Sequence, residues 1–123
     1  MEKAKQAELA MTFRQEGFSL IKKQHNPQAS LATQDRRFRS FFGTTWHICA
    51  ILWNHLTHTL VADHKYVKPI HLLWALLFLK LYKTKAIHAT IAGTDERTFR
   101  KWVWIVLEYI SYLEVDVVSK KNY

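Results

Sequence analysis

Hydrophobic residues recur at helical spacing through most of the chain, most clearly between residues 44 and 60. At 3.6 residues per turn, one face of this segment collects mainly apolar side chains: Cys49, Leu52, Trp53, Leu56 and Leu60. The opposite face collects polar ones: His47, Asn54, His55 and His58. The pattern predicts an amphipathic helix, and Thr44 or Thr45 is suited to cap its N-terminus.

The N-terminal third contains weaker helical signals. Residues 2–24 predict an amphipathic helix of modest quality, because Gly17 lowers its propensity. Its candidate apolar contacts are Ala4, Ala7, Met11, Phe18 and Ile21. Asn26-Pro27 is a turn signal, so residues 25–30 are expected to form a linker. Asp35 is expected to cap a short basic helix, residues 36–42, which Gly43 ends.

The second half of the chain predicts three further helices. Pro69 fits the first turn of a helix over residues 70–82, and residues 83–84 are expected to break it. A short helix over residues 85–92 and a long one from Asp95 to about Leu113 follow. Residues 115–123 form a tail that is expected to start an extended segment. The division that results is residues 1–34 as N-terminal helix and linker, 35–113 as the main domain and 114–123 as tail.

Residues 85–102 have the spacing of two tightly packed helices joined by a turn. Ala89 is small where the helices would touch, and Gly93 can adopt the positive φ that reverses the backbone. Asp95 can cap the second helix. Apolar residues then follow at helical spacing: Phe99, Trp102, Val103, Val106 and Ile110. With few Gly and Pro in the chain, the sequence predicts an all-α helical bundle that contains a tri-helical helix-turn-helix at about residues 70–112.

The charge balance favours a polyanionic partner. The 123 residues include 18 Lys and Arg against 10 Asp and Glu, which gives a formal net charge of +8. Such an excess attracts nucleic acid or an anionic membrane surface. The apolar run at residues 70–82 is too short to span a bilayer, and the N-terminus lacks the apolar core of a secretory signal. We expect no membrane partner, and a basic amphipathic protein that binds an anionic membrane surface is kept as the third alternative. Because Cys49 is the single cysteine, we expect a reducing compartment.

Double-stranded DNA is the partner that these features favour. In a helix-turn-helix, the first turns of the second helix meet base edges and phosphates in the major groove. The candidate DNA-binding residues are Lys83, Lys85, His88, Glu96, Arg97, Thr98, Arg100, Lys101, Arg36, Arg37 and Arg39.

The residue pattern favours neither zinc binding nor catalysis. A zinc site from His47, Cys49, His55 and His58 is disfavoured, because Cys49 falls on the apolar face. No Ser/His/Asp set, phosphate loop or paired carboxylates point to catalysis, so we expect neither an enzyme nor a cofactor.

Trp104 projects away from the apolar face of its helix. We expect the 44–60 helix or the N-terminal helix to cover it. The alternative function is a helical protein–protein interaction or dimerisation module without DNA binding, which would use Trp104, Trp46 and the N-terminal helix. A homodimer is therefore an expectation as well.

From Asp35 onward the chain resembles the region before the catalytic domain of Harbinger-like transposases of the DDE superfamily. Three segments carry the resemblance: residues 36–43 (RRFRSFFG), 68–82 (KPIHLLWALLFLKLY) and 92–104 (AGTDERTFRKWVW). The resemblance implies a helical region that binds the DNA ends of the element. In that family a nuclease domain with three acidic residues and divalent metal follows, and the present sequence stops about where it would begin. The expectation is a DNA-binding module without catalysis of its own, located in the nucleus in a eukaryote.

Overall fold

The structure, a computed structural model, describes residues 3–21, 28–81, 90 and 92–121. These residues form five α-helices and no strand: α1 (Lys3–Leu20), α2 (Leu31–Phe42), α3 (Trp46–Leu56), α4 (Pro69–Leu81) and α5 (Glu96–Lys121). A π-helical segment, Thr57–Val61, continues α3. The predicted all-α helical bundle is therefore confirmed. The predicted break at 83–84, Ala89 and most of the short helix over residues 85–92 lie outside the described residues.

The ends of α2 and α3 follow from side-chain and glycine caps. The Thr45 hydroxyl accepts a hydrogen bond from the backbone N–H of Ile48 (3.1 Å), so Thr45 caps α3 as the sequence allowed. Gly43 ends α2 with a φ of 78° and donates its N–H to the Arg39 carbonyl oxygen (2.8 Å). This left-handed conformation is open to glycine without a Cβ penalty. The predicted C-terminus of α2 is thus confirmed.

The N-terminus of α2 lies earlier than predicted. Ser30 is its cap, because the Ser30 hydroxyl accepts from the N–H of Thr33 at 3.2 Å. The prediction that Asp35 caps a helix over 36–42 is wrong. Asp35 lies inside the helix and pairs with Arg39 one turn later (3.0 Å). Ser and Asp are both good capping residues, and residues 31–34 contain no helix breaker, so a helix can begin after either of them.

The two faces predicted for residues 44–60 are confirmed. Cys49, Leu56 and Leu60 are buried, while the imidazoles of the three predicted outer histidines are exposed. Asn54 is half-buried, and its amide donates to the side-chain oxygen of Gln6 on α1. Trp46 and Ala50 extend the buried face, so α3 contacts α1 as well as α4.

The apolar face of α1 differs from the prediction. Phe18 and Ile21 are buried as expected, but Ala4, Ala7 and Met11 are exposed. The core instead receives Ala10 and Phe13, which share a stripe with Gly17. Gly17 allows the ring of Phe38 on α2 to approach closer than any side chain at that position would permit. Helix α1 therefore contributes to the core that it shares with α3 and α4.

Helix α4 is buried on most sides and carries α5. Leu72, Leu73, Ala75 and Leu77 are fully buried, and Pro69 begins the helix as predicted.

Helix α5 continues to Lys121, so the prediction of an end near Leu113 and an extended tail is wrong. No Gly or Pro occurs after Gly93, and the valines near the C-terminus reduce helix propensity only slightly. In the part of the chain that the structure describes, no helix is long and apolar enough to cross a membrane.

Candidate nucleic-acid interface

The start of α5 is fixed by the turn that the sequence predicted. Gly93 has a φ of 74°, and its N–H donates to the carbonyl oxygen of Thr90 (3.2 Å). The Asp95 carboxylate accepts from the backbone N–H of Thr98 at 2.8 Å and from the Thr98 hydroxyl at 2.9 Å. These hydrogen bonds, the backbone one foremost, lower the pKa of Asp95. The predicted positive φ and the predicted cap are both confirmed.

One face of α5 is anchored in the core. Phe99, Val103 and Val106 are buried, and the Phe99 ring lies 5.8 Å, centroid to centroid, from that of Trp74 on α4. Trp102 and Ile110, the other residues of the predicted apolar face, are half-buried. Because this face is fixed against α4, the opposite face of the first turns must project outward.

The outward face of these turns is cationic. Arg97, Arg100 and Lys101 are exposed, as is Glu96. Arg100 donates to the Glu96 carboxylate at 3.2 Å, with about half of each side chain exposed. An ion pair this exposed contributes little to stability, so Arg100 can exchange Glu96 for another anion at small cost. The Lys101 ammonium lies 5.1 Å from the centroid of the Trp102 ring.

Thr98 is less available than its neighbours. Its hydroxyl proton is donated to Asp95, and its side chain is half-buried. A phosphate oxygen can only accept hydrogen bonds, so Thr98 in this conformation has no proton to offer it. Its role in the described structure is to complete the cap of α5.

The remaining candidate DNA-binding residues lie elsewhere. Arg36 and Arg39 are exposed on α2, where Arg39 is paired with Asp35, and Arg37 is half-buried. Lys83, Lys85 and His88 lie outside the described residues. The structure therefore places the exposed candidate residues of α5 together on one face. The candidate arginines of α2 lie apart from them, on another helix.

Sequence reasoning did not assign a role to His71, which helps to position the cationic turns. The His71 ring stacks on Trp102 with 4.1 Å between centroids and 5° between planes. Its Nδ1 accepts the backbone N–H of Lys68 at 3.0 Å. Burial, and then the charges of Lys68 and Lys101, lower the pKa of His71 from 6.5 to about 4. The sequence offered one signal for this contact, a histidine within the apolar run of α4. It gave no indication that this histidine stacks on Trp102 of α5.

A second anchor holds the middle of α5. The Tyr109 hydroxyl donates to the Asp63 carboxylate at 2.6 Å, and this bond is the largest cause that raises the pKa of Tyr109 to about 12. His64 contacts the rings of both Trp102 and Tyr109 edge-on. The segment that follows the π-helical turn is thereby joined to α5.

The residues weighed as zinc ligands are not brought together. Burial raises the pKa of the Cys49 thiol to about 12, which disfavours the thiolate that zinc requires. His47, His55 and His58 lie on the exposed face. No group of three or more His, Cys, Asp or Glu side chains suited to a metal ion occurs among the residues described.

Trp104 is more exposed than expected. Cover by α1 or by the 44–60 helix was the preferred expectation, and it is wrong: 53% of Trp104 is exposed and its ring contacts Phe78 of α4. Trp46, the other tryptophan considered for docking, is buried in the core.

Comparisons with protein-family models, with curated proteins and with solved structures found no match to this chain.

Proposed function

We propose that the chain is a DNA-binding module in which the first turns of α5 meet the duplex. The observation that carries this proposal is the cationic face of Arg97, Arg100 and Lys101 on a helix whose other face is anchored in the core. A rigidly held helix start with outward cations has the geometry that recognition helices use in a major groove. The helix-turn-helix itself and an origin in a Harbinger-like transposase belong to the same proposal, as does a nuclear location.

Charge supports the proposal in two ways. The net charge of +8 attracts the phosphate backbone over a long range. The exposed cations of α5 add local contacts, of which Arg97 and Lys101 are the more available, because Arg100 is shared with Glu96. We therefore assign the phosphate contacts first to Arg97 and Lys101, and base contacts to Arg100, whose fork can read a guanine edge. No catalytic role is included in the proposal.

Fluorescence anisotropy of the full chain with labelled duplex DNA, over a series of salt concentrations, tests this function. We expect log affinity to fall linearly with log salt concentration. The double variant Arg97→Ala/Lys101→Ala should lower the slope by about 2, since each lost phosphate contact removes roughly 0.9.

A matched control separates this site from the overall charge. Lys5 and Lys65 are exposed on α1 and on the segment before α4, so Lys5→Ala/Lys65→Ala removes the same two charges elsewhere. The control should keep the wild-type slope. If the slope fell equally in both double variants, the DNA would be attracted by net charge alone. Absence of binding at low salt would refute the proposed function.

Arg100→Ala addresses sequence recognition. If Arg100 contacts a base, the variant should lose more affinity for a selected preferred site than for random duplex, by about tenfold, which is the lower range for a bidentate contact. Equal losses on both duplexes would reduce Arg100 to a phosphate contact.

A further inference from the structure

The exposed side of α5 carries a continuous row of residues beyond the cationic turns. Arg97, Lys101, Trp104, Glu108 and Tyr112 are spaced by four, three, four and four residues, so they form one stripe along the helix. All five are exposed. We name this row the outer stripe of α5.

Two large aromatic residues lie unburied in the outer stripe. Trp104 and Tyr112 are each 53% exposed. The Tyr112 hydroxyl donates to the Glu108 carboxylate at 2.8 Å, which holds the tyrosine ring along the stripe. Trp104 contacts the edge of Phe78, with 6.1 Å between ring centroids. Trp104 is thus half-exposed at the centre of a charged stripe, and aromatic residues in such positions are enriched in protein contact surfaces.

The charges of the outer stripe are arranged with opposite signs on either side of Trp104. Arg97 and Lys101 precede it, whereas Glu108 follows it. Lys101 and Glu108 lie equally far from the peptide bond between Trp104 and Ile105, and so do Arg97 and Tyr112. A second α5 laid antiparallel on this stripe would set Lys101 against Glu108 of the second copy at both ends. Arg97 would then meet the ring of Tyr112 of the second copy, a cation–π pair.

We infer that the outer stripe is a dimerisation surface for a second copy of this chain, antiparallel to the first, with Trp104 at the twofold axis. When a second copy of the stripe runs in the opposite direction, each charged residue faces a complementary one. An isologous twofold contact requires this self-complementarity. A parallel copy would face cation with cation, which disfavours that arrangement. Trp104 supplies the buried centre, where aromatic residues contribute most to association, and the charged pairs form the rim.

Sedimentation equilibrium of the full chain, without DNA, tests the dimer. We expect a concentration-dependent monomer–dimer equilibrium. Trp104→Ala should raise the dimer Kd by roughly tenfold or more. Ile48→Ala is the matched control, because Ile48 is similarly exposed on another helix (48%), and it should leave the Kd unchanged. A wild-type chain that stays monomeric up to its solubility limit would overturn the inference, as would a Trp104→Ala chain that associates like the wild type.

Charge reversal tests the antiparallel geometry itself. Lys101→Glu and Glu108→Lys should each raise the Kd about tenfold, because each sets like charges opposite one another at both ends. Lys101→Glu also lowers the net charge by two, so general repulsion between copies alone would predict tighter association.

An equimolar mixture of the two variants restores both opposite-charge pairs, and we expect it to form a heterodimer with nearly the wild-type Kd. A mixture that remains monomeric would exclude the antiparallel arrangement. Circular dichroism melting of each variant verifies that the fold is retained, which is expected because all of these side chains are exposed.

Discussion

Acidification from pH 6.5 to pH 4 is expected to destabilise the fold through His71 by up to about 3 kcal/mol, the free energy that corresponds to its lowered pKa. The folded chain holds His71 neutral down to about pH 4, whereas the unfolded chain protonates it near pH 6.5. Between these values the unfolded state binds one proton more than the folded state. The stability is therefore fully present above pH 6.5 and is lost as the pH falls toward 4.

The geometry around His71 explains why its pKa is lowered. Its Nδ1 accepts a hydrogen bond from Lys68, and one ring face lies against Trp102. A proton on the ring would add a charge to a buried residue near two lysine ammonium groups, Lys68 and Lys101. Desolvation is the larger cost and the lysines add to it.

Chemical denaturation over a pH series measures this contribution. The variant His71→Asn keeps an acceptor for Lys68 but has no group that titrates, so its stability should depend less on pH between 6.5 and 4 than that of the wild type. His55→Asn, which removes an exposed imidazole, is the control and should keep the wild-type dependence. A His71→Asn profile parallel to the wild type would contradict the assignment of the effect to His71.

The substitution Gly17→Ala is expected to destabilise the protein by about 1–2 kcal/mol, although alanine is a better helix former than glycine. A Cβ at this position would lie 2.3 Å from Cε2 of Phe38 and 3.1 Å from Cε2 of Phe42. Phe38 is fully buried, with its ring against those of Phe18, Phe42 and Trp46. The ring cannot move away without disturbing the whole aromatic group. The overpacking cost therefore exceeds the gain in helix propensity.

The background variant Phe38→Leu is expected to remove most of this cost. Leucine lacks the ring edge that the new methyl would meet at 2.3 Å, and only the milder contact with Phe42 remains, so Gly17→Ala should cost clearly less in this background than in the wild type. Thermal denaturation of the four chains gives the coupling between the two positions. If alanine at position 17 cost the same in both backgrounds, the close contact with Phe38 would not be its cause.

The two proposals use some of the same side chains, and this has a measurable consequence. Arg97 and Lys101 are assigned both to DNA and to the second copy, so duplex DNA should lower the dimer fraction in sedimentation experiments. Glu108→Lys separates the two activities: it should weaken the dimer and bind DNA at least as tightly as the wild type. A dimer that stays intact on saturating DNA would show that the two surfaces do not overlap.

Local signals predicted much of the candidate site. The Gly93 turn, the Asp95 cap and the buried face of Phe99 and Val103 depend on neighbours within one or two helical turns, and they were found from spacing alone. Thr45 and Gly43 were recognised for the same reason. The end of α2 was correct and its start was not, because Ser30 and Asp35 are both able to cap and the sequence does not rank them.

Local spacing predicted that the five described helices exist and in which order, together with the cationic start of α5 and most of the face that α5 buries, because backbone conformation and hydrophobic periodicity are local. The side of α1 that enters the core could not be predicted in this way, since it depends on the approach of Phe38 to Gly17. The exposure of Trp104 and the stacking of His71 on Trp102 were likewise visible only in the packed structure. Those outcomes depend on which helix packs where, and such contacts join residues far apart in the chain.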